Sequence, residues 1–313
     1  RPLFHFYDPI HTSGIAGGTS SKRWALAKGV QANYYNSQQT GFAALSNAPS
    51  AGDFSYQRAL DDYAKGDRKR ALTAFGHVLH LLEDAGVPDH TRNDPHPGFI
   101  PGQESPYEKE MAKWKPGNVQ IARELSLKRE KPVTFYTMES YFDRVANYSN
   151  GYFYSKDTVN SPEYKNPKIS KTENSPWKDT KGGTISYVST KDKDSSSIKL
   201  AFAKIRFVGS TLEITDKSLT VTINKETKTE IIDGYWERLS KEVVLNGAGA
   251  LNLFLNEAER AKEEYARKPN KNPSLWAQLL GLVGIGYMPD SDELPKTELT
   301  TSDGQRTSDV NRL

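Results

Sequence analysis

The chain of 313 residues contains no cysteine. Disulfides, thiolate metal sites and a cysteine nucleophile are therefore excluded, and the redox compartment stays open. Charge of one sign is also lacking. The net +3 is too small to argue by itself for nucleic acid or an anionic membrane as partner. Long hydrophobic runs are missing too: the most apolar stretch, SLWAQLLGLVGIGY at 274–287, is too short and too glycine-rich to span a bilayer. It reads as core by default, with a membrane surface or a partner as the other readings. No Gly-x-Ser-x-Gly occurs, which argues against a serine hydrolase. The run Gly14-Ile15-Ala16-Gly17-Gly18 lacks a following Lys-Ser/Thr and a preceding strand, so it marks turns rather than a phosphate loop. No signal peptide is visible at Arg1, leaving a cytoplasmic chain, an already processed one or a fragment. No internal repeat is present.

Histidine is sparse but gathered. All six (His5, His11, His77, His80, His90 and His96) lie in the first third of the chain. Residues 71–94, ALTAFGHVLHLLEDAGVPDHTRND, read as one apolar helix that breaks at Gly86 and Pro88, with His90 directly after the break. Leu72, Phe75, Leu79 and Leu82 recur at helical spacing, so most of this helix is expected to be buried. The same spacing places His77, His80 and Asp84 along one stripe. Two imidazoles and a carboxylate in a buried stripe are costly unless they are paired or hold a cation. A lone histidine on such a helix is as a rule a hydrogen-bonded core residue, but confinement of all six to one region argues for a single site. Zinc is the natural cation for imidazole and carboxylate ligands.

The rest of the chain sets the frame. Ser20 or Ser21 is positioned to cap a helix through about residue 35, Asp53 to cap one ending at Gly66, and Asp67 to cap the histidine-bearing helix. Residues 93–103 form a Pro- and Gly-rich loop over the site, in which His96 reads as a solvated loop histidine. Ser105–Pro106 starts a further helix, with Glu104, Glu108 and Glu110 near that start. Residues 134–153 form a helix whose aromatic face reads as core. Residues 155–183 are rich in Lys, Asn, Ser, Thr and Pro and read as a long loop or a disordered insertion. Alternating, β-branched stretches follow at 198–208, 210–216 and 218–232, with turns near Gly209 and Asp216. They predict a small antiparallel β element, either a substrate or membrane contact or a decorative insertion or oligomer contact. Asp233 is then expected to cap a long helix in which Gly247-Ala248-Gly249 permits close packing or a kink.

Four separated elements carry a resemblance. HFYDP at residues 5–9, His80, Asp84 four residues on, His90 six after that, and the pair Tyr107–Glu108 agree in order and spacing with the bacterial zinc-dependent phospholipase C family, itself similar to the P1/S1 nucleases. The resemblance covers about residues 4–150. It implies a mainly α fold, a phospholipase C/P1 nuclease-like helical bundle with a small antiparallel β insertion. The organisation expected is a metal-binding bundle at 1–154, a polar loop and β insertion at 155–232, helices completing the bundle at 233–287 and a flexible tail at 288–313. It implies two or three zinc ions held by His5, His80, Asp84, His90 and Glu108. Glu104, standing where the family has a histidine, is added as a ligand or else caps the helix. Further family ligands and the proposed general base lie upstream of HFYDP, so the catalytic residue is unassigned and an upstream segment of the same protein is an expected contributor. The activity implied is zinc-dependent hydrolysis of phosphodiesters, phospholipid head groups first, by a secreted or periplasmic protein. The alternatives are a P1/S1-like single-strand nuclease and a catalytically degenerate, secreted binding or assembly protein. Membrane-surface contact and homo-oligomer formation are the remaining partner expectations.

Overall fold

A computed structural model describes residues 4–28, 54–97, 100, 102–113 and 120–267. These fall within one unit that ends at Arg267. Its helices are α1 (Ser21–Ala25), α2 (Tyr56–Ala64), α3 (Arg68–Asp84), α4 (Pro88–Thr91), α5 (Pro106–Met111), α6 (Gln120–Leu127), α7 (Met138–Tyr152) and α8 (Glu230–Arg267). Six strands stand between α7 and α8: β1 (Lys171–Lys178), β2 (Thr184–Lys191), β3 (Ser197–Val208), β4 (Thr211–Ser218), β5 (Val221–Ile223) and β6 (Glu226–Lys228). The first four form an antiparallel meander in the order β1-β2-β3-β4, and the last two a separate hairpin. Asp53, the apolar stretch 274–287 and the tail 288–313 lie outside the described residues, as does residue 29 onward of the first expected helix, which among the described residues ends at Ala25; the cap expected of Asp53 is made instead by Ser55.

The mainly α expectation is corrected. Of the described residues 46% are helical and 19% are in strands, an α/β mix that includes the four-stranded antiparallel sheet. Residues 155–183, read as loop, contain all of β1, and β2 follows at once. The polar composition that suggested a loop belongs to a strand at the sheet edge, where β1 exposes seven of eight residues at least partly and buries only Ser175. Edge strands need little apolar surface, so their sequences resemble loops.

Helix starts follow local chemistry closely. Side-chain oxygens of Ser20, Ser55, Asp67, Ser105 and Thr137 each accept the N–H three residues on, at 3.1–3.3 Å. α8 begins three residues before Asp233, which sits inside its first turn.

α8 ties the two halves together. At 38 residues it is about 57 Å long at ~1.5 Å per residue. Its C-terminal half packs on α2, α3 and α7, with Phe254 stacked on Phe75 at 4.1 Å and 8°. Its N-terminal half packs Ile231, Ile232, Tyr235 and Leu239 against the sheet core of Val188, Leu200 and Phe202. Tyr235 donates its hydroxyl to the Leu200 carbonyl at 2.6 Å, a buried polar tie between helix and sheet. Among the described residues no helix is long and apolar enough to cross a membrane.

The Gly247/Gly249 pair divides in role. A Cβ on Gly249 would fall onto the Val133 carbonyl oxygen and within 2.8 Å of the Tyr141 ring, whereas one on Gly247 meets nothing within 4 Å. Gly249 therefore lets the 133–135 segment close on the helix, and Gly247 only weakens it. Gly249→Ala is expected to cost about 1–3 kcal/mol through overpacking, and Gly247→Ala to gain up to ~1 kcal/mol. Urea unfolding midpoints of the two variants check this; equal shifts would contradict it.

Candidate metal centre

The histidines converge from four chain segments. α3 presents His80 and Asp84 one turn apart. Its end at Asp84 is followed by Ala85-Gly86-Val87 and α4, where Pro88 occupies the first helical position and places His90 under the helix end. Gly86 is required there, because a Cβ would fall onto a Val243 methyl of α8. The segment bearing His5 lies alongside: the Tyr7 N–H donates to the His90 carbonyl at 3.0 Å and the Ser21 N–H to the Phe6 carbonyl at 2.9 Å. α5 supplies Glu108.

Two ligand groups result, His5–His80–Asp84 and His90–His96–Glu108, each with donor atoms within 4.8 Å of one another. His5 Nδ1 lies 2.9 Å and His80 Nε2 3.5 Å from Asp84 Oδ2. The other oxygen, Oδ1, faces His90 Nδ1 at 3.6 Å. Glu108 faces His90 Nε2 at 3.4 Å through Oε1 and His96 Nε2 at 3.0 Å through Oε2. Asp84 thus stands between the groups.

The tautomers are fixed by chemistry. His90 Nδ1 lies 3.2 Å from the Asp84 carbonyl and His96 Nδ1 2.9 Å from the Asp94 carbonyl. A carbonyl only accepts, so each Nδ1 carries the proton and each Nε2 turns toward Glu108. This is the orientation by which proteins hold metal-ligating imidazoles. Asp84 Oδ2 is buried and takes no hydrogen bond despite the ring nitrogen close by. A buried anionic oxygen faced by two imidazoles without an aligned proton suits a cation better than an ion pair. The donor set of imidazole and carboxylate fits a divalent metal of the zinc type.

Charge states divide the second group: His90 is free to ligate, whereas His96 carries a proton that a cation would have to displace. Burial pulls His90 down to about 4, against the opposite pull of Asp84 and Glu108, so it is neutral. Burial also lowers His96, but its bond to Glu108, the Asp89 charge and the Asp94 carbonyl outweigh that and hold it at about 9. Glu108 is pushed up by burial and brought below its usual range by the same His96 bond and by the neighbouring imidazoles. Behind them Asp89, 1% exposed, is raised by burial to about 7 and accepts the Ser105 hydroxyl at 2.8 Å.

Other expected residues fall differently. Glu104 stands outside both groups: its carboxylate accepts the Gly102 N–H at 3.1 Å, within the loop. His77 stacks on Phe54 at 4.2 Å. His11 pairs with Asp8 at 2.7 Å, away from the metal groups. Conversely His96, read as a solvated loop residue, is drawn in with its side chain only 11% exposed, packed on His90 at 5.0 Å. Nothing local in the sequence marks it, since it is positioned by Asp94, whose carboxylate accepts the Asp157 N–H at 2.8 Å. The stripe of His77 and His80 is not buried in a core. Leu72 is 51% exposed and the His80 side chain 53%, while Phe75 and Leu82, as expected, join Ala71, Ala74, Val78 and Leu81 on the buried face. The stripe lines a cavity of about 470 Å³ with Phe4, His5, Trp24 and Thr73.

Comparison with protein-family models, with curated proteins and with solved structures finds no match.

Loading zinc into the second group displaces the proton that His96 Nε2 shares with Glu108. Below about pH 9 that proton must leave, so metal affinity is expected to rise as pH rises toward that value. Calorimetric titration of zinc near pH 7.5 in buffers of different ionisation enthalpy should show about one proton released at this group. His96→Gln should remove that release, and unchanged release would contradict the assignment. Asp84→Asn is expected to reduce bound zinc at the first group, and Glu104→Gln at neither, as read by native mass spectrometry.

Proposed function

We propose that the chain is a zinc-dependent phosphodiester hydrolase, acting in the manner of the phospholipase C proteins that its motifs resemble on phospholipid head groups. The observation that carries this reading is the adjacency of two separate histidine–carboxylate groups, His5–His80–Asp84 and His90–His96–Glu108, with Asp84 of the first 3.6 Å from the His90 ring of the second. Two adjacent cation sites suit a phosphodiester, whose anionic oxygens and poor leaving group otherwise slow attack by water. Zinc, when bound, supplies positive charge to phosphate oxygens and lowers the pKa of water from ~16 to ~7.

The chain's own residues would do the remainder. His5, His80 and Asp84 would hold one ion; His90, His96 and Glu108 would hold the other. The carbonyls of Asp84 and Asp94 keep the two Nε2 atoms aimed. Phe6 covers His90 and His96 at 4.9 and 5.7 Å and keeps water from that side. The cavity beside His5 and His80 gives the diester's substituent a place open to solvent. No general base is assigned. The resemblance supports a secreted or periplasmic setting.

One observation favours a second reading, a single-strand nuclease: Phe4, Trp24 and His77 line the cavity with flat rings on which a base could stack. Zinc-loaded protein assayed on a chromogenic phosphocholine diester and on single-stranded DNA separates the two. Turnover of the diester, abolished by chelation and reduced about 100-fold or more in Asp84→Asn, is the expected result, with Glu104→Gln near wild type. Turnover of DNA alone would favour the nuclease. Activity on neither substrate would sink the hydrolase and leave a binding or assembly protein.

A further inference from the structure

The β3–β4 hairpin runs past the rest of its sheet. β2 begins at Thr184, and Ile185 pairs with Lys204, so from Ile205 onward β3 is paired with β4 alone. The pairs Ile205–Ile214, Arg206–Glu213, Phe207–Leu212 and Val208–Thr211 make a two-stranded ribbon about 10 Å long at ~3.3 Å per residue. Opposed residues share a face and faces alternate, so Ile205, Ile214, Phe207 and Leu212 lie together. Ile214 packs at the margin of the sheet core. The other end of this apolar face stands in solvent, with Phe207 74% and Leu212 41% exposed; Val208, on the opposite face at the very end of the ribbon, is 54% exposed. The opposite face carries the Arg206–Glu213 ion pair.

Charge says what the tip meets. Residues 155–228 hold fourteen Lys and Arg against nine Asp and Glu, a net +5, whereas the whole chain is +3, so the remainder is −2. The β1–β2 turn lies at the same end of the sheet as the hairpin tip; Lys178 and Lys181 are exposed there, while Asp179 between them is turned onto the Lys181 and Gly183 N–H groups and Lys204. Three apolar side chains are too few for a stable protein interface, which needs roughly 800 Å² from each partner. They suffice for shallow entry into a bilayer interface when basic residues stand beside them.

We propose that the β3–β4 tip is a membrane-docking element, with Phe207, Val208 and Leu212 entering the interfacial zone of a bilayer and Lys178 and Lys181 facing anionic head groups. The hydrolase reading is not required for this. Protein stripped of metal docks equally, so failure of one proposal leaves the other standing.

Because the chain lacks cysteine, Val208→Cys gives a single labelling position for an environment-sensitive fluorophore. With metal-stripped protein, the label's emission is expected to shift to the blue on vesicles of phosphatidylcholine with phosphatidylglycerol, and much less on phosphatidylcholine alone. Sedimentation with the mixed vesicles should fall about tenfold or more in Phe207→Asp/Leu212→Asp and in Lys178→Glu/Lys181→Glu. An unshifted label would overturn the proposal. So would unchanged sedimentation of the tip variant, or a wild-type dimer that the tip substitutions dissociate while vesicles bind neither form. If the double variant fails to fold, the labelled protein alone decides.

Discussion

A carboxylate held between two sets of imidazoles is the constraint on which this structure turns. Asp84 ends α3, and both its side chain and its backbone are used there. The carboxylate faces His5, His80 and His90, and the carbonyl accepts the Val87 N–H at 3.0 Å and His90 Nδ1 at 3.2 Å. A helix continued by one more turn would keep that carbonyl inside the ladder and carry His90 away. Gly86 and Pro88 therefore matter as chemistry rather than as punctuation: they stop the helix where its last residue can serve both groups.

Holding four chain segments around one carboxylate needs ties from outside the site, and these are buried and polar. Arg92, 0% exposed, donates to the Thr158 hydroxyl at 2.6 Å and the Asn150 carbonyl at 2.7 Å, and lies over the Tyr154 and Tyr164 rings. Asn150 in turn donates to the Thr91 carbonyl at 2.6 Å. Asp8, also buried, accepts the Tyr164 hydroxyl at 2.7 Å and the Ile10 N–H at 2.8 Å, which fixes the turn after the His5 segment. Each tie leaves a partner unpaired in a dry place if broken, so the loops near the metal groups are as constrained as the helices. Such ties link residues 8, 92 and 150–164, which explains how loop segments carry ligands without any strand between them.

The sheet is a different kind of structure from the centre. It is joined through the N-terminal half of α8 and through residues 154–164, and its own core is made of Val188, Leu200 and Phe202. Its distinguishing surface is the β3–β4 ribbon, whose apolar face starts at that core and continues into solvent. A helical region rich in histidine and carboxylate and a basic sheet with an apolar tip divide the chain between chemistry and placement.

Much of this was legible residue by residue. Helix 68–84 with its Asp67 cap, the break before His90, and the Ser105–Pro106 start all depend on side chains acting within four residues of themselves, and the sequence by itself determined them. The alternation at 198–208 and 210–216 likewise marked two strands and the turn at Gly209, but the turn expected near Asp216 falls inside β4, and the stretch 218–232 divides into a short hairpin and the start of α8. Tertiary structure decided the rest. β1 was hidden because an edge strand is specified by its neighbour's hydrogen bonds, not by its own apolar content. His96 was hidden because its place is set by Asp94 and residue 157, some sixty positions away. Glu104 had the right residue type near the right helix, yet the loop turned its carboxylate onto Gly102. Spacing along one helix fixes which side chains share a face; which loop residue completes a site depends on buried ties between distant segments, and those exist only once the chain has folded.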